Sequence, residues 1–164
     1  VSRNIMVKVL QVVGYKKSGK TTTMNQIIKQ LKALNYHVAV VKHHGEIGGQ
    51  EIDIPQSRDH ITYIESGADE SIVQGYQYIH KLRRNEALEL EVIINEEVTC
   101  KDIVLVEGYK AARYDKIVLY NNEEDKQTLS QLSNIVLMVD TSVDSESVIY
   151  EFIQSWVGDT RETI

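Results

Sequence analysis

Gly14-Tyr15-Lys16-Lys17-Ser18-Gly19-Lys20-Thr21 reads as glycine, four residues, then Gly-Lys-Thr, with a second threonine at position 22. That spacing suits a polyphosphate. Glycines let successive backbone N–H groups curl around an anion, and a helix that opens at the lysine adds the positive end of its dipole. In this P-loop reading Gly14, Tyr15, Lys16, Lys17, Ser18, Gly19, Lys20, Thr21 and Thr22 bind nucleotide. Lys20 reaches the β- and γ-phosphates, and the Thr21 hydroxyl ligates magnesium. A plain turn with solvated lysines would leave the Gly-Lys-Thr-Thr ending unexplained. For Lys16 and Lys17 taken singly, solvation is the simpler reading, with charge supplied across a dimer interface as the other.

A second candidate is the acid that ends Ile103-Val104-Leu105-Val106-Glu107. A carboxylate at the end of a buried strand beside the phosphate loop can hold a magnesium-bound water or polarise an attacking one. Glu107 is therefore the candidate catalytic residue and, with Thr21, a candidate metal ligand; the alternative is a solvated strand-end acid. The third is Lys42-His43-His44 with the segment that follows. His43, His44, Asp53, Arg58 and Asp59 make a candidate substrate or switch loop that senses the γ-phosphate. Two histidines and two aspartates also raise a zinc or nickel site. Against the metal, adjacent histidines point in different directions and no i, i+4 histidine pair occurs.

These groups need elements to position them. Ile5 to Val13 is an apolar run ending at Gly14, which predicts a buried strand before the loop. Met24, Ile27, Ile28, Leu31 and Leu34 recur at helical spacing after it, with Asn35 suited to end the helix. His37 to Lys42 predicts the second strand. Residues 43–58 read as a long loop, 59–66 as a short helix before Gly67, Ser71 to Ile79 as one strand, and Asn85 to Val98 as a helix. Ile103–Val106, Lys116–Tyr120 and Ile135–Val139 predict three buried strands, the last two central. Val148, Ile149, Phe152, Ile153, Trp156 and Val157 mark a closing helix over about 144–157. Thr141 and Ser142 fit its cap better than Asp140 fits a base edge. Alternating strands and helices predict an α/β fold, a P-loop NTPase domain with a largely parallel central sheet flanked by helices.

Composition bounds the partners. The 164 residues suit one domain, 1–164, and 42% hydrophobic content is enough for a core. Eighteen Lys+Arg against 24 Asp+Glu give a net charge of −6, which offers no general attraction to nucleic acid or an anionic membrane. Any polyphosphate must be held by a local pocket. Cys100 is the sole cysteine, so no internal disulfide forms, which fits a reducing compartment. Apolar runs of about five residues fall far short of a membrane span, and the N-terminus lacks a secretory signal. A cytoplasmic address is expected.

With these residues in view, the chain resembles the GTP-binding molybdopterin-guanine dinucleotide biosynthesis protein B family, MobB. Four landmarks carry the likeness in order: Gly14 to Thr22, Lys42-His43-His44, Asp59 through Ser66-Gly67-Ala68, and Leu105-Val106-Glu107-Gly108-Tyr109-Lys110. Ser57-Arg58-Asp59-His60 departs from the family's Gly-Lys-Asp-Ser, and Asp115 stands where the family commonly has proline. The resemblance implies a homodimeric GTP-binding accessory protein with weak GTPase activity and magnesium as cofactor. Its partners would be the molybdopterin guanylyltransferase and molybdopterin. Guanine preference comes only from the resemblance, since no Asn-Lys-x-Asp motif occurs, and the motifs alone leave ATP open. Rival readings are a P-loop small-molecule kinase, a metal-delivery GTPase using His43 and His44, and a nucleotide-dependent adaptor without significant turnover.

Overall fold

Apolar side chains gather on both faces of the strands that carry the candidate residues. The computed structural model describes residues 7–44, 51–55, 58–100 and 102–162. In chain order the elements are β1 (Lys8–Val13), α1 (Lys20–Ala33), β2 (Val38–Lys42), α2 (Asp59–Glu65), β3 (Glu70–Gln74), β4 (Ile79–Arg83) and α3 (Leu90–Glu97). There follow β5 (Ile103–Glu107), β6 (Asp115–Tyr120), α4 (Glu123–Leu129), β7 (Ile135–Asp140) and α5 (Glu146–Glu162). The chain divides into two compact units, one of Val1–His43 with Leu90–Ile164, the other of His44–Glu89.

The first unit is a five-stranded sheet in the order β2-β5-β1-β6-β7, with every pairing parallel. A parallel sheet covered on both faces needs unbroken apolar strands rather than alternating ones, and β5 is buried at all five positions. On one face Leu10, Val12, Leu105 and Ile117 meet Ile27 and Leu31 of α1 and Ile149 and Ile153 of α5. Each such aliphatic side chain, fully buried, contributes about 1.5 to 3 kcal/mol. On the other face Leu90 and Ile94 of α3 pack on Val104 and Val106, and Leu129 of α4 packs with Val13 and Val118. The α/β sheet flanked by helices agrees with the sequence expectation.

Residues 108–114 join β5 to β6 without a helix. Glu107 lies beside Val12 and Asp115 beside Leu10, so this connection arches over Gln11, the β1 residue between them. Gln11 is fully buried. Its Nε2 donates to the carbonyls of Gly108 at 3.0 Å and Tyr109 at 2.8 Å, and its Oε1 accepts the Tyr114 N–H at 3.2 Å. Lys116, the register partner of Gln11 on β6, is also fully buried and donates to the carbonyls of Ala112 and Tyr114. Two polar side chains thus satisfy backbone groups that a coil segment packed on a sheet would otherwise leave without partners. Trp156 of α5 donates its indole N–H to Asp115 at 3.1 Å.

In the second unit β3 and β4 form an antiparallel hairpin, closed by Gly75 N–H to the Tyr78 carbonyl at 2.8 Å. The expected single strand over 71–79 is therefore two strands with a turn at 75–78. α2 covers one face through Ile61 and Ile64, both buried, and the His60 ring meets His80 edge-on at 5.3 Å. Ile72 and Ile79 share the opposite face by their register and are exposed.

Three further expectations change. α3 begins at Leu90 rather than Asn85, because Asn85 accepts the Ala87 N–H in a local turn and Ala87 takes φ 55°. β7 is an edge strand rather than central. α4 has no counterpart in the sequence reading.

Candidate functional site

The glycine-lysine segment leaves β1 and enters α1 at Lys20, the context a phosphate loop requires. Its shape is built by small residues and left-handed backbone. Lys17 has φ 65° and Gly19 φ 95°, a conformation that lets neighbouring N–H groups share one concavity. A Cβ on Gly14 would stand 2.4 Å from Ser18 Oγ and 2.9 Å from the Leu119 carbonyl, so only glycine fits there. Lys20 Nζ donates to the Gly14 carbonyl at 2.7 Å, which folds the ammonium over the mouth of its own loop.

Ser18 Oγ is buried and has no hydrogen-bond partner among the described residues. Leaving such a group unsatisfied costs about 1 to 3 kcal/mol. An orphaned hydroxyl inside an anion-shaped loop fits a phosphate oxygen, and the exposed Thr21 beside it supplies a hydroxyl of the kind that ligates magnesium. The donor set therefore suits a magnesium–polyphosphate ligand.

The far wall of the loop comes from β6 and β7. Asn121 Nδ2 donates to the Lys17 carbonyl at 3.2 Å. Thr141 Oγ1 donates to the Ser18 carbonyl at 2.7 Å, with the Tyr120 carbonyl at 3.2 Å as its second acceptor. Asp140 Oδ1 accepts both the N–H and the hydroxyl of Ser142, at 2.9 and 2.6 Å. These bonds hold the Asp140 carboxyl below its usual range, against the opposing effect of burial. Thr141 and Ser142 do not cap α5. That helix starts at Glu146, where Asp144 accepts the Glu146 N–H and the Ser145 carbonyl accepts the Ile149 N–H.

On the near side, β5 places Glu107 beside Val12 at the carboxyl edge of the sheet. The residue is 7% exposed, and its Oε2 lies 3.2 Å from Nζ of Lys42, its register partner on β2. A buried carboxylate that keeps a cation beside it is chemically suited to a divalent ion as well. His43 donates its backbone N–H to the Glu107 carbonyl at 3.2 Å, and its ring tilts against Tyr109 at 5.0 Å. Burial pushes the Tyr109 hydroxyl up. Gly108 at φ 87° and Tyr109 at φ 54° turn the chain sharply after Glu107; a Cβ on Gly108 would meet His43 Cβ at 3.5 Å. Lys110 lies 4.1 Å above the Tyr15 ring, which links the arch to the glycine-lysine loop.

The first unit thus contains Gly14 to Thr22, Lys42, His43 and Glu107. The other expected loop residues belong to the second unit. His44 is exposed at its start, Asp53 is exposed without regular structure, Arg58 precedes α2 and Asp59 opens it. Positions 45–50 and 56–57 of that candidate loop lie outside the described residues. Among the described residues no three His, Cys, Asp or Glu side chains gather as a metal site, and no helix is long and apolar enough to cross a membrane. Sequence reasoning passed over Gln11, Asn121 and the ion pair of Lys42, and gave Thr141 to a helix cap where it bonds the Ser18 carbonyl. The signal for Gln11 was a polar residue inside a buried run.

Comparison with known proteins adds the family. Residues 9–141 match the model for molybdopterin guanine dinucleotide synthesis protein B, MobB. The chain is 31% identical over 131 residues to a probable molybdopterin-guanine dinucleotide biosynthesis adapter protein of Bacillus subtilis, covering 80% of this chain and 75% of the relative. It is 27% identical over 166 residues to the adapter protein of Haemophilus influenzae, covering 94% and 92%. Its structure is similar to a MobB homolog from Bacillus stearothermophilus, with TM-score 0.69, 28% identity and coverage of 92% and 98%. It is likewise similar to a crystal structure of molybdopterin-guanine biosynthesis protein B, with TM-score 0.71, 25% identity and coverage of 90% and 99%.

Proposed function

The chain belongs to the MobB family of molybdopterin guanine dinucleotide synthesis proteins, and from that premise we propose that it is a GTP-binding adapter with slow GTPase turnover. Its partners in this proposal are the molybdopterin guanylyltransferase and molybdopterin. The observation that carries the nucleotide part is the loop of Gly14 to Thr21, with Lys20 over its mouth and the buried Ser18 hydroxyl without a partner among the described residues. Lys20 neutralises phosphate charge, and Ser18 and the loop backbone orient the phosphates. Thr21 and Glu107 would hold magnesium, which when bound supplies charge neutralisation of the phosphates. Glu107, placed by β5 and kept from bulk water, orients the water that attacks the γ-phosphorus. GDP and phosphate leave.

Slow turnover is expected because no arginine finger has a motif behind it in the sequence, Arg58 and Arg113 being only candidates, and such a group is worth about 10³ to 10⁵ in rate. A homodimer is part of the same reading. It is supported by Ile72 and Ile79, which are exposed on the face of the β3–β4 hairpin away from α2.

The test measures guanine dinucleotide cofactor formation by limiting guanylyltransferase at matched GTP and magnesium. Wild type should stimulate formation and Lys20→Ala should not. Absence of stimulation by wild type, with fast phosphate transfer to another small acceptor, would replace the adapter by a kinase.

A further inference from the structure

The strand order separates the two ends of a bound nucleotide. Glu107 is on β5, to one side of β1, and the proposed magnesium and γ-phosphate lie with it. β6 and β7 are on the other side of β1, so the nucleoside end of the ligand is directed toward their carboxyl ends. The polar groups there include Asn121, Asn122, Asp140, Thr141 and Ser142, with Glu123 and Glu124 exposed in the first turn of α4. Most are already engaged. Asn121 and Thr141 bond the Lys17 and Ser18 carbonyls, Asn122 caps α4 through the Asp125 N–H, and the Ser142 hydroxyl is bonded to Asp140 Oδ1.

Asp140 is the carboxylate joined to the loop wall, through its neighbour Thr141. Asp140 Oδ2 receives no hydrogen bond among the described residues, while Oδ1 is fixed by two bonds to Ser142. The next residue, Thr141, touches the phosphate loop itself, with its Cγ2 3.6 Å from where a Gly19 Cβ would stand. The carboxylate is therefore rigid, ionised and anchored one residue from the loop wall. Its chemistry distinguishes bases. Guanine offers two adjacent donors, N1–H and the 2-amino group, to an anionic acceptor, whereas adenine presents the N1 lone pair, which a carboxylate repels.

We propose that Asp140 is the specificity-determining residue for the base, selecting guanine over adenine by accepting hydrogen bonds from the guanine N1–H and 2-amino edge. This rests on the phosphate-site reading of residues 14–21. It gives the guanine preference a residue in this chain, which the motifs did not.

The experiment titrates the full chain with GTP, ITP, XTP and ATP in magnesium, using wild type, Asp140→Asn and Lys20→Ala. Wild type should bind GTP more tightly than ITP, which lacks the 2-amino group, and ITP more tightly than ATP. Loss of a charged hydrogen bond should weaken GTP binding by Asp140→Asn about tenfold to a hundredfold. The same variant should gain affinity for XTP, because its new amide N–H can donate to the xanthine 2-oxygen. A merely structural role would not produce that gain. Equal GTP affinity in wild type and Asp140→Asn, or a uniform loss across all four nucleotides, would overturn the assignment while leaving the phosphate site standing. If no nucleotide binds, or Lys20→Ala binds as wild type does, the phosphate-site reading fails, and the base assignment falls with it.

Discussion

Replacing Gln11 by leucine keeps most of the side-chain volume and removes three hydrogen bonds at once. The amide serves the Gly108 and Tyr109 carbonyls and the Tyr114 N–H, and at full burial no water is positioned to take its place. Each backbone group left without a partner costs about 1 to 3 kcal/mol. Three of them give about 3 to 9 kcal/mol, and burial of the leucine methyls returns about 1 kcal/mol or a little more. Local rehydration as the arch loosens puts the expected loss at the lower end, about 3 kcal/mol. That is survivable for a domain with a stability of about 5 to 15 kcal/mol.

The assay is urea unfolding followed by Trp156, the only tryptophan, which is buried on α5 in the same unit. With a slope of about 1 to 3 kcal/mol per molar, the midpoint should fall by roughly 1 to 3 M. Hydrogen exchange gives the local readout: the Tyr114 amide should lose its protection. Gln26→Leu removes one exposed bond to the Glu146 carbonyl and should cost only about 0.5 to 1.5 kcal/mol. If Gln11→Leu costs no more than Gln26→Leu, or if Tyr114 exchanges as in wild type, Gln11 does not hold the arch.

Lys20→Ala should weaken nucleoside triphosphate binding about tenfold to a hundredfold by calorimetry without moving the unfolding midpoint by more than about 0.5 kcal/mol equivalent. Unchanged affinity would remove the phosphate site. Glu107→Gln should lower the hydrolysis rate at least about tenfold and shift its magnesium dependence more than it shifts magnesium-free binding; a wild-type rate and magnesium curve would return Glu107 to a structural acid. Burial pushes the Lys116 ammonium below the usual lysine value, with nearby Asp115 opposing. Between the lowered and ordinary values the unfolded chain binds more protons, so stability rises with pH through that window and the contribution is lost as pH falls through the folded value. Lys116→Met should abolish that alkaline rise, and a wild-type-minus-variant stability difference that is flat from neutral to alkaline pH would contradict it. For the proposed homodimer, Ile72→Glu should give a monomer in sedimentation velocity, and an undisturbed dimer would place the interface elsewhere.

The parts of the fold that the sequence revealed are those where one physical signal dominates. β5 is four apolar residues with an acid at the end, and its burial on both faces permits nothing else. α1 shows its core face by spacing and its end by Asn35, which takes φ 67°. Where local chemistry competes with pattern, the reading slips. Tyr76, Tyr78 and Ile79 favour extended backbone on their own, and they obscured the turn at Gly75. The start of α4 had a legible cap, Asn122 accepting the Asp125 N–H with three acids in the first turn, but a seven-residue helix offers too little periodicity to stand out. Strand order has no local signal at all, so nothing in Ile135–Val139 announces an edge. The site divides in the same way. Gly14 to Thr21 is contiguous and was legible, whereas Lys42 with Glu107, and Asn121 and Thr141 with the loop, are brought together only by the parallel register.

The arch over Gln11 also bears on how this sheet is assembled during synthesis. Both neighbours of β1 are encoded in one continuous stretch, 103–120, and β1 fills the slot between them. The strand at the centre of the sheet therefore leaves the ribosome first and waits for roughly ninety-five further residues before its first partner exists. β2 waits too, since β5 is its only neighbour among the described residues. At about 5 to 20 residues per second that interval is on the order of five to twenty seconds. During it α1 and the locally paired α2, β3 and β4 can form, while Leu10, Val12 and Val13 remain uncovered and in need of protection. β5, the arch and β6 then supply both neighbours of β1 from one stretch of chain, with Gln11 bonded to the arch between them.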